Sequence, residues 1–377
     1  MNLLEKLDLE LVWFDSLGAK SACIAITSSI GKIIIDPGVA EMQPSYPLPI
    51  EEKFRLRGRA LSKIENACKK AKVIIITHYH YDHHVLPDDP DIKSGREFYL
   101  NGKLLILKNP NMYINESQWN RARLFLTKIL QLVNDDLSKY LTNSEVQEFE
   151  DPVEKLSIAL SKDFKNYQAR REELLKKGKK WFIRLKQLWG RSKWIIDGIK
   201  LSDNSYITWG DNKTFSFGDV EVRILEPWFH GIEYDRTGWV IPITIRKNNY
   251  TVFYSSDLMG PQIEDYAEFI IKLRPDIIIL DGPPTYLYPY MLSKVNLERA
   301  VGNVKLIISQ ARPKLLIYDH HLLRDCKWRR RIEEVFIEAK KSDVFLLTAA
   351  EYLGDKPLID KLCSNFSPPF KQSPTDT

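Results

Sequence analysis

The stretch Ile74-Ile75-Ile76-Thr77-His78-Tyr79-His80-Tyr81-Asp82-His83-His84 decides how the fold is interpreted. It opens with β-branched apolar residues, which are typical of a buried strand, and four imidazoles with one carboxylate follow directly. Because alternate residues of an extended segment point the same way, His78 and His80 can bind one metal ion together. Asp82 and His83 lie beyond the bend, so we expect them to face a second ion.

The seven histidines of the chain occupy three places, which are the first stretch, His230 alone, and the adjacent pair His320 and His321. Each place follows an apolar, strand-like run, and loops after strand ends can collect at one edge of a sheet. A lone histidine is usually a surface residue, but imidazole is the most common protein ligand for transition metals. The clustering therefore predicts a metal site assembled from distant parts of the chain.

Length and composition indicate an ordinary globular protein. The 377 residues, of which 44% are hydrophobic and 28% charged, can form one large domain or two of ordinary size. The net charge of +5 suits an anionic substrate without requiring nucleic acid. No apolar run approaches the length of a membrane span and no secretory signal is visible, so we expect a cytoplasmic protein without a membrane segment. The scattered cysteines, Cys23, Cys68, Cys326 and Cys363, indicate neither a disulfide framework nor a thiolate zinc site.

Strand and helix signals organise the chain as an α/β fold. A hairpin turn at Gly31 joins two of the first strands, and a helix at 50–70 precedes the metal stretch. Strands are predicted at 9–14, 21–27, 32–35, 97–100, 104–107, 206–209, 220–225, 239–245, 250–254, 277–280, 314–319 and 344–347. We therefore expect residues 1–115 and 195–355 to form the domain that carries the site, 116–194 a helical insertion, and 356–377 a flexible tail.

The predicted insertion, residues 116–194, is markedly basic in its second half. Its lysines and arginines are interleaved with aromatic residues, namely Tyr167, Trp181, Trp189 and Trp194. Two interpretations stay open. The segment could be an electrostatic track for nucleic acid with aromatic platforms for bases, or the solvated face of helices that pack their tryptophans inward. The second is favoured, because charged helical runs are usually solvated faces.

The order of the motifs resembles that of the metallo-β-lactamase superfamily. The residues that carry the resemblance occur in order at strand ends, as His78-x-His80-x-Asp82-His83, then His230, Asp257 and His320. Asp36 resembles the early aspartate of that superfamily, which would orient a loop or a ligand histidine. The segment 319–325 and the long insertion are most similar to an uncharacterised archaeal branch of predicted metal-dependent hydrolases. The resemblance implies a four-layer αβ/βα sandwich with a helical insertion.

The resemblance also implies two divalent metal ions and assigns their ligands. The first ion would be held by His78, His80 and His230, the second by Asp82, His83 and His320, and Asp257 would bridge the pair. The ligand types favour zinc, with manganese or iron as alternatives. In the superfamily pattern, a water between the ions loses its proton near neutral pH, and the metal-bound hydroxide attacks the substrate.

Further candidates for catalytic roles flank this set. Besides Asp82, they include His84 and His321, which could donate protons or hydrogen-bond a carboxylate. His320 is preferred over His321 as the ligand because it lies nearer the strand end. Arg324 would lie where some nuclease-like members of the superfamily have an arginine.

Two features guide the choice of chemistry. The diiron redox branch of the superfamily has a glutamate at the position of His80, so the imidazole favours hydrolysis. Arg236, Arg324 and the basic insertion favour a phosphodiester or nucleic acid as substrate, because guanidinium groups bind phosphate oxygens in pairs. The sequence thus predicts a dinuclear metal-dependent hydrolase. A small-molecule lactonase or thioesterase is the alternative enzyme, and a nucleic-acid-binding protein with structural metals is the non-catalytic alternative.

Overall fold

The computed structural model describes residues 3–144 and 148–364, in which two seven-stranded mixed sheets form the centre of the molecule. The strands of the first half of the chain are β1 (Leu9–Phe14), β2 (Ala22–Ser28), β3 (Gly31–Ile35), β4 (Ala71–Ile76), β5 (Leu104–Leu107), β6 (Leu141–Thr142), β7 (Trp194–Ile195), β8 (Ile199–Lys200) and β9 (Tyr206–Trp209). The first sheet has the order β1-β2-β3-β4-β5-β9-β8, and β6 pairs with β7 outside it.

The second half of the chain builds the other sheet. Its strands are β10 (Thr214–Phe217), β11 (Val220–Ile224), β12 (Trp228–Phe229), β13 (Trp239–Val240), β14 (Ile243–Lys247), β15 (Tyr250–Tyr254), β16 (Ile277–Asp281), β17 (Leu315–Asp319) and β18 (Phe345–Leu347). The order is β10-β11-β14-β15-β16-β17-β18, while β12 and β13 form a separate hairpin.

The α-helices connect and cover the strands. They are α1 (Ile50–Lys69), α2 (Gly95–Tyr99), α3 (Glu116–Gln131), α4 (Ser157–Ser161), α5 (Gln168–Arg191), α6 (Glu264–Leu273), α7 (Lys294–Leu306), α8 (Trp328–Arg331), α9 (Glu333–Lys341), α10 (Ala349–Tyr352) and α11 (Leu358–Leu362). Short 3₁₀ helices lie at Glu5–Leu7, Asp15–Leu17, Leu137–Tyr140, Pro152–Lys155, Lys165–Tyr167, Thr285–Leu287 and His320–Arg324, and a π-helical turn at Ile307–Ala311.

Both sheets are buried on two sides, which explains their runs of β-branched residues. Ile33 of β3 and Ile277 of β16 face the space between the sheets, whereas the next residues, Ile34 and Ile278, pack under the outer helices. Each such side chain contributes about 1.5–3 kcal/mol by its burial. The result is a layered order of helices, sheet, sheet and helices. This is the four-layer αβ/βα sandwich that the resemblance implies, so the predicted fold class is confirmed.

Both sheets contain neighbouring parallel strands, which places the loops that follow these strands at one edge. In the first sheet β3, β4 and β5 are parallel neighbours, and in the second β15, β16 and β17 are parallel neighbours. The carboxyl ends of parallel strands meet at the same edge of a sheet, where ligands bind in open α/β structures. The loops after β3, β4, β15 and β17 carry Asp36, His78, Asp257 and His320 respectively. The topology therefore brings the predicted site residues together.

Two secondary-structure predictions are wrong. The strand predicted at 97–100 is helix α2, because the Ser94 hydroxyl accepts a hydrogen bond from Glu97 N and starts a helix there. The flexible tail predicted from residue 356 is ordered as far as 364. Helix α11 lies in that segment and buries Ile359 completely. Residues 365–377 lie outside the described part of the chain.

The prediction that the cysteines form no disulfide framework is wrong for one pair. Cys326, just before α8, is bonded to Cys363, just after α11. Their spacing of 37 residues carries no local signal, so only the docking of α11 brings the two sulfurs together. Cys23 and Cys68 are free and buried, as expected for small apolar residues. No helix in the described ranges is both long and apolar enough to cross a membrane.

Candidate metal centre

The first cluster of possible metal ligands combines the β4 loop with two distant segments. It contains His78, His80, His230 and Asp257, whose ligand atoms all lie within 4.8 Å of one another. His78 Nε2 lies 3.3 Å from Asp257 Oδ2, and His230 Nε2 lies 3.6 Å from the same oxygen. Three imidazoles and one carboxylate in this arrangement match the donor types of zinc.

The second cluster lies on the other side of the same carboxylate. It contains Asp82, His83, Asp257 and His320, again within 4.8 Å. His83 Nε2 and His320 Nε2 lie 2.6 Å and 2.8 Å from Asp257 Oδ1. Asp257 thus directs one oxygen to each cluster. The structure brings together every residue that the sequence predicted as a metal ligand, and it places His320, not His321, beside Asp257.

The unpaired atoms in these clusters fit cations. His78 Nε2, both nitrogens of His230 and both oxygens of Asp257 are buried, and none has a hydrogen-bond partner of suitable geometry among the described residues. A buried polar atom without a partner costs about 1–3 kcal/mol. Here the unpaired atoms point toward shared centres instead of bonding one another. This arrangement is the one that metal ligands require, so the residues fit two metal ions.

The far sides of the imidazoles are held by oxygen atoms. His83 Nδ1 donates to Asp36 Oδ2 and His320 Nδ1 donates to Asp15 Oδ1, each at 2.8 Å. His78 Nδ1 faces the hydroxyls of Thr77 and Ser256 at 3.3 and 3.4 Å. Such contacts fix the tautomer and ring orientation, which leaves each Nε2 free for a metal ion. Asp36 thus contacts His83, one of the residues predicted to bind the second ion.

The two clusters differ in electrostatics. Burial lowers the pKa of His78, His80 and His230, so these imidazoles are neutral and ready to bind a cation at neutral pH. In the second cluster, burial would also lower the pKa of His83, but Asp257 and Asp36 raise it to about 10. The carboxylates therefore create an excess of negative charge around the second cluster, which a divalent cation would neutralise.

Arg324 joins the acidic residues around the second cluster. Its Nε donates to Asp15 Oδ2 at 2.6 Å, and its Nη2 lies 3.2 Å from Asp82 Oδ2. Burial alone would raise the pKa of Asp15, but Arg324 and His320 lower it to about 2. The two carboxylate partners of Arg324 are therefore Asp15 and Asp82. Arg324 is thus already paired within the protein.

Comparisons with known proteins identify the family. No protein-family model matches the chain. UPF0282 protein MJ1629 of Methanocaldococcus jannaschii is 30% identical over 350 residues, which cover 92% of this chain and 91% of the relative. This chain belongs to the UPF0282 family. UPF0282 protein MK0213 of Methanopyrus kandleri is 29% identical over 347 residues, covering 90% of this chain and 92% of that protein. The archaeal relatives confirm the predicted resemblance to an archaeal branch.

Solved structures were compared with this UPF0282 protein as well. The metallo-β-lactamase fold protein YhfI from Bacillus subtilis matches with a TM-score of 0.40 and 11% identity, covering 90% of this chain and 94% of YhfI. Unliganded yeast PDE1 matches with a TM-score of 0.40 and 10% identity, covering 90% of this chain and 97% of that one. The fold assignment made above rests on the two sheets and their outer helices.

The other predicted catalytic residues of this UPF0282 protein lie outside the two bridged clusters. His84 donates from Nδ1 to the His80 carbonyl at 2.9 Å and packs against Tyr79 and Phe125, and burial lowers its pKa to about 3. His321 Nδ1 lies 3.0 Å from both oxygens of Asp281. Asp281, His320 and His321 form a third group close enough to hold a cation.

Sequence reasoning did not assign a role to Asp15, Gln118 or Asp281 at the site. Asp15 follows an antiparallel strand, where nothing in its neighbours marks a functional residue. Asp281 ends the apolar strand β16, directly before a Gly-Pro-Pro turn, and that position at the carboxyl edge was an available signal. No sequence pattern around Gln118 indicates a role at the site. Its Oε1 accepts from Tyr79 N, and its Nε2 lies 3.5 Å from His80 Nε2.

The helices predicted as an insertion reach the metal centre. On α3, Asn115 at the cap and Gln118 both donate to the carbonyl of Thr237, and the Thr237 hydroxyl donates to the His230 carbonyl. On α5, Trp189 is fully buried and Trp181 stacks on Trp239 at 5.5 Å. Packed tryptophans cannot serve as open platforms for bases, so the structure favours the solvated-face interpretation. The predicted domain division at 116 and 194 stays a prediction.

Proposed function

We propose that this UPF0282 protein is a dinuclear metal-dependent hydrolase whose favoured substrate is a phosphodiester, with nucleic acid included in that class. One observation carries the proposal, namely that Asp257 directs one oxygen to each of two buried ligand clusters. A purely structural metal site is typically closed around one ion by four ligands. Two clusters that share a carboxylate are typical of sites that act on a substrate.

The chain's own residues prepare the site for this chemistry. His78, His80 and His230 would hold one ion, and Asp82, His83 and His320 the other, with Asp257 between them. Two divalent ions, when bound, supply Lewis acidity and lower the pKa of a water molecule. Zinc suits the five imidazoles best, with manganese or iron as alternatives. Asp36 and Asp15 orient the ligand rings of the second ion through their Nδ1 atoms.

A free guanidinium beside the first cluster supports an anionic substrate. Arg121 lies on α3 with its guanidinium 4.8 Å from the centre of the Tyr81 ring. Within the described ranges it has no carboxylate within salt-bridge distance, and Tyr81 is 38% exposed. Both side chains belong to the surroundings of His80 and His84. A half-buried arginine without a carboxylate partner is suited to bind phosphate oxygens. We assign His321, held by Asp281, as the residue that would donate a proton to the leaving group.

The test combines metal analysis with hydrolysis. Wild-type protein loaded with zinc is expected to hold two ions per chain and to hydrolyse bis(p-nitrophenyl) phosphate. His78→Ala is expected to lose metal and to fall to the rate of a protein-free blank. His84→Phe is the matched control, because it replaces an imidazole of the same loop outside both clusters, and it should keep both ions.

Each alternative function predicts another result. A lactonase or thioesterase would cleave a carboxylic ester or thioester but not the phosphodiester. A nucleic-acid-binding protein with structural metals would hold both ions, bind nucleic acid with a steep salt dependence, and turn over none of these substrates. Full activity in metal-free His78→Ala protein would reject the proposed function.

A further inference from the structure

Lys20 is held at the edge of the second cluster by its backbone. Its N–H donates to the Ala40 carbonyl and its carbonyl accepts from Ala40 N, at 2.9 and 3.0 Å. The next residue, Ser21, donates from N to Asp15 Oδ1 at 2.9 Å, and its carbonyl accepts from His320 Nδ1 at 3.2 Å. The main chain at Lys20 is therefore fixed through the same residues that hold His320.

The ammonium group of Lys20 has no partner in the described part of the chain. Its side chain is half-buried, yet it makes no hydrogen bond and no carboxylate lies within 4.0 Å of it. Its charged neighbours are Arg324, Asp82, Asp15 and Glu41. Burial and the nearby Arg324 lower the pKa of Lys20, and the acidic neighbours oppose this. Two of those acids, Asp15 and Asp82, are already paired with Arg324.

The most deeply buried lysines among the described residues all have hydrogen-bond partners. Four are almost wholly buried within the described ranges, and each donates to an oxygen: Lys53 to the Gln43 carbonyl, Lys103 to the Leu100 carbonyl, Lys108 to Asp211 and Lys247 to Asp8. Lys20 instead lies beside the positive charge of Arg324. Its ammonium makes no hydrogen bond of this kind in the described ranges, and the nearby Asp15 and Asp82 pair with Arg324. A role in stabilising the fold therefore does not explain Lys20.

We propose that Lys20 binds a non-bridging phosphate oxygen of the substrate on the side of the second cluster. The assignment rests on the proposed function for the identity of the substrate. A phosphate oxygen would give the unpaired ammonium of Lys20 the anionic partner that Asp15 and Asp82, which pair with Arg324, do not supply. A lysine acts here as a compact point charge, which suits a phosphate oxygen whose orientation is set elsewhere. Arg324 already pairs with two carboxylates. It would therefore attract the phosphate by its positive charge instead of forming a new hydrogen bond.

Binding of inorganic phosphate to the full-length protein tests this without turnover. Isothermal calorimetry on zinc-loaded and on metal-stripped protein compares the wild type with K20M, K20R and K72M. Lys72 is the matched control, because it is exposed at the opposite end of β4 from His78. A charged hydrogen bond of about 1.5–3 kcal/mol corresponds to a roughly 10- to 100-fold weaker binding in K20M. K20R should stay close to the wild type, and K72M should equal it.

Thermal unfolding is the second readout. K20M should melt at about the same temperature as the wild type, because the ammonium of Lys20 makes no hydrogen bond or ion pair in the described ranges that the substitution would remove. A K20M protein that binds phosphate as the wild type does, or that melts at a clearly lower temperature, would overturn the assignment. Acetate bound as tightly as phosphate would overturn the phosphate preference. A wild type that binds phosphate through Lys20 but holds no metal and cleaves no phosphodiester would reject the proposed function while the anion site stands.

Discussion

At the scale of the residue, Arg324 connects two ligands of the second cluster. It contacts Asp82 and His320 directly, and Asp15 accepts hydrogen bonds from both Arg324 and His320. All four groups are buried or nearly so. Removing one member of a buried charged network leaves the others without compensation. Arg324 would therefore act on a metal ion in this cluster through the residues proposed to bind it.

Arg324→Lys should weaken the second metal ion selectively. A lysine carries the charge but lacks the two-pronged geometry that reaches Asp15 and Asp82 at once. Replacing such an outer partner typically lowers metal affinity by about 10- to 100-fold. Zinc titration against a competing chelator should show one unchanged and one weakened site. Arg312→Lys is the control, because Arg312 is exposed and its Nε donates to the nearby Ser309 carbonyl. Equal weakening of both ions would contradict this role.

Residues of the site were predictable to different degrees. The residues of the two clusters could be predicted because imidazoles are rare here and follow strand ends in a recognisable order. The sequence did not show which of His320 and His321 faces the cluster. The two are adjacent residues of the 3₁₀ helix at His320–Arg324, and they differ only in the direction of their side chains. Asp15 could not be found, because an aspartate after an antiparallel strand is commonly part of a turn. Its role appears only when the first and last thirds of the chain meet.

At the scale of the element, α11 is held at the C-terminal end of the described chain by side-chain contacts. Asp360 accepts from Trp328 Nε1 at 2.8 Å and from Arg329 Nε at 2.9 Å. The disulfide between Cys326 and Cys363 closes the loop that these contacts define. The flexible-tail prediction failed because a short charged segment gives little local signal, whereas its order comes from these contacts.

Cys363→Ser should destabilise the protein without emptying the metal centre. A disulfide that closes a loop of this size stabilises by about 4 kcal/mol, mainly by limiting the unfolded chain. Urea unfolding followed by tryptophan fluorescence should show this loss, and wild-type protein treated with dithiothreitol should match the variant. Zinc content should stay at the wild-type value, because neither cysteine contacts a ligand. A variant as stable as the oxidised wild type would contradict the contribution of the bond.

At the scale of the whole molecule, a buried ionic network joins four distant segments. Glu233, after the His230 loop, accepts from Arg171 of α5 and from Arg299 of α7, and Arg299 also donates to Glu264 of α6. Arg171, Glu233, Arg299 and Glu264 are all less than a tenth exposed. The helices of residues 116–194 are therefore tied to the second sheet's helices by charge as well as by packing.

Glu233→Gln should lower the free energy of unfolding by an amount that depends on pH. Burial alone would raise the pKa of Glu233, but Arg299 and Arg171 lower it overall. Such a carboxylate stabilises the fold above its unfolded pKa of about 4.3, and this contribution is lost as the pH falls through the lower folded value. The free energy of unfolding of the variant should be about 3–5 kcal/mol lower than that of the wild type at pH 7. This difference should shrink below pH 4. Urea unfolding across this range measures it.

The exposed pair of Glu173 with Lys177 on α5 supplies the control for that experiment. Glu173→Gln changes the charge by the same amount at a solvated position, so unfolding should follow the wild type at every pH. A difference between Glu233→Gln and the wild type that stays constant from pH 7 to pH 3 would contradict the assignment to an ionised buried carboxylate.

The overall architecture was predictable because apolar strands and helical periods alternate along most of the chain. Ile74 to Ile76 could be assigned to a buried strand from β-branching alone, and β16 and β17 from the same pattern. The contact of α3 with His80 was not predictable, because Gln118 and Asn115 look like ordinary polar residues of a helix start. The pattern of neighbouring residues predicts helices and strands. How these elements pack against one another depends on surfaces built from residues that are far apart in the sequence.

The metal centre draws its parts from almost the full length of the polypeptide. Asp15 and His320 are 305 positions apart, and His83 and His320 are 237 apart. During synthesis from the N-terminus, the first imidazoles would leave the ribosome long before their partners exist. Tight binding of the second ion would consequently be one of the last steps of maturation. A C-terminally shortened chain that ends before β17 lacks His320, so it should lack that ion however well its first sheet folds.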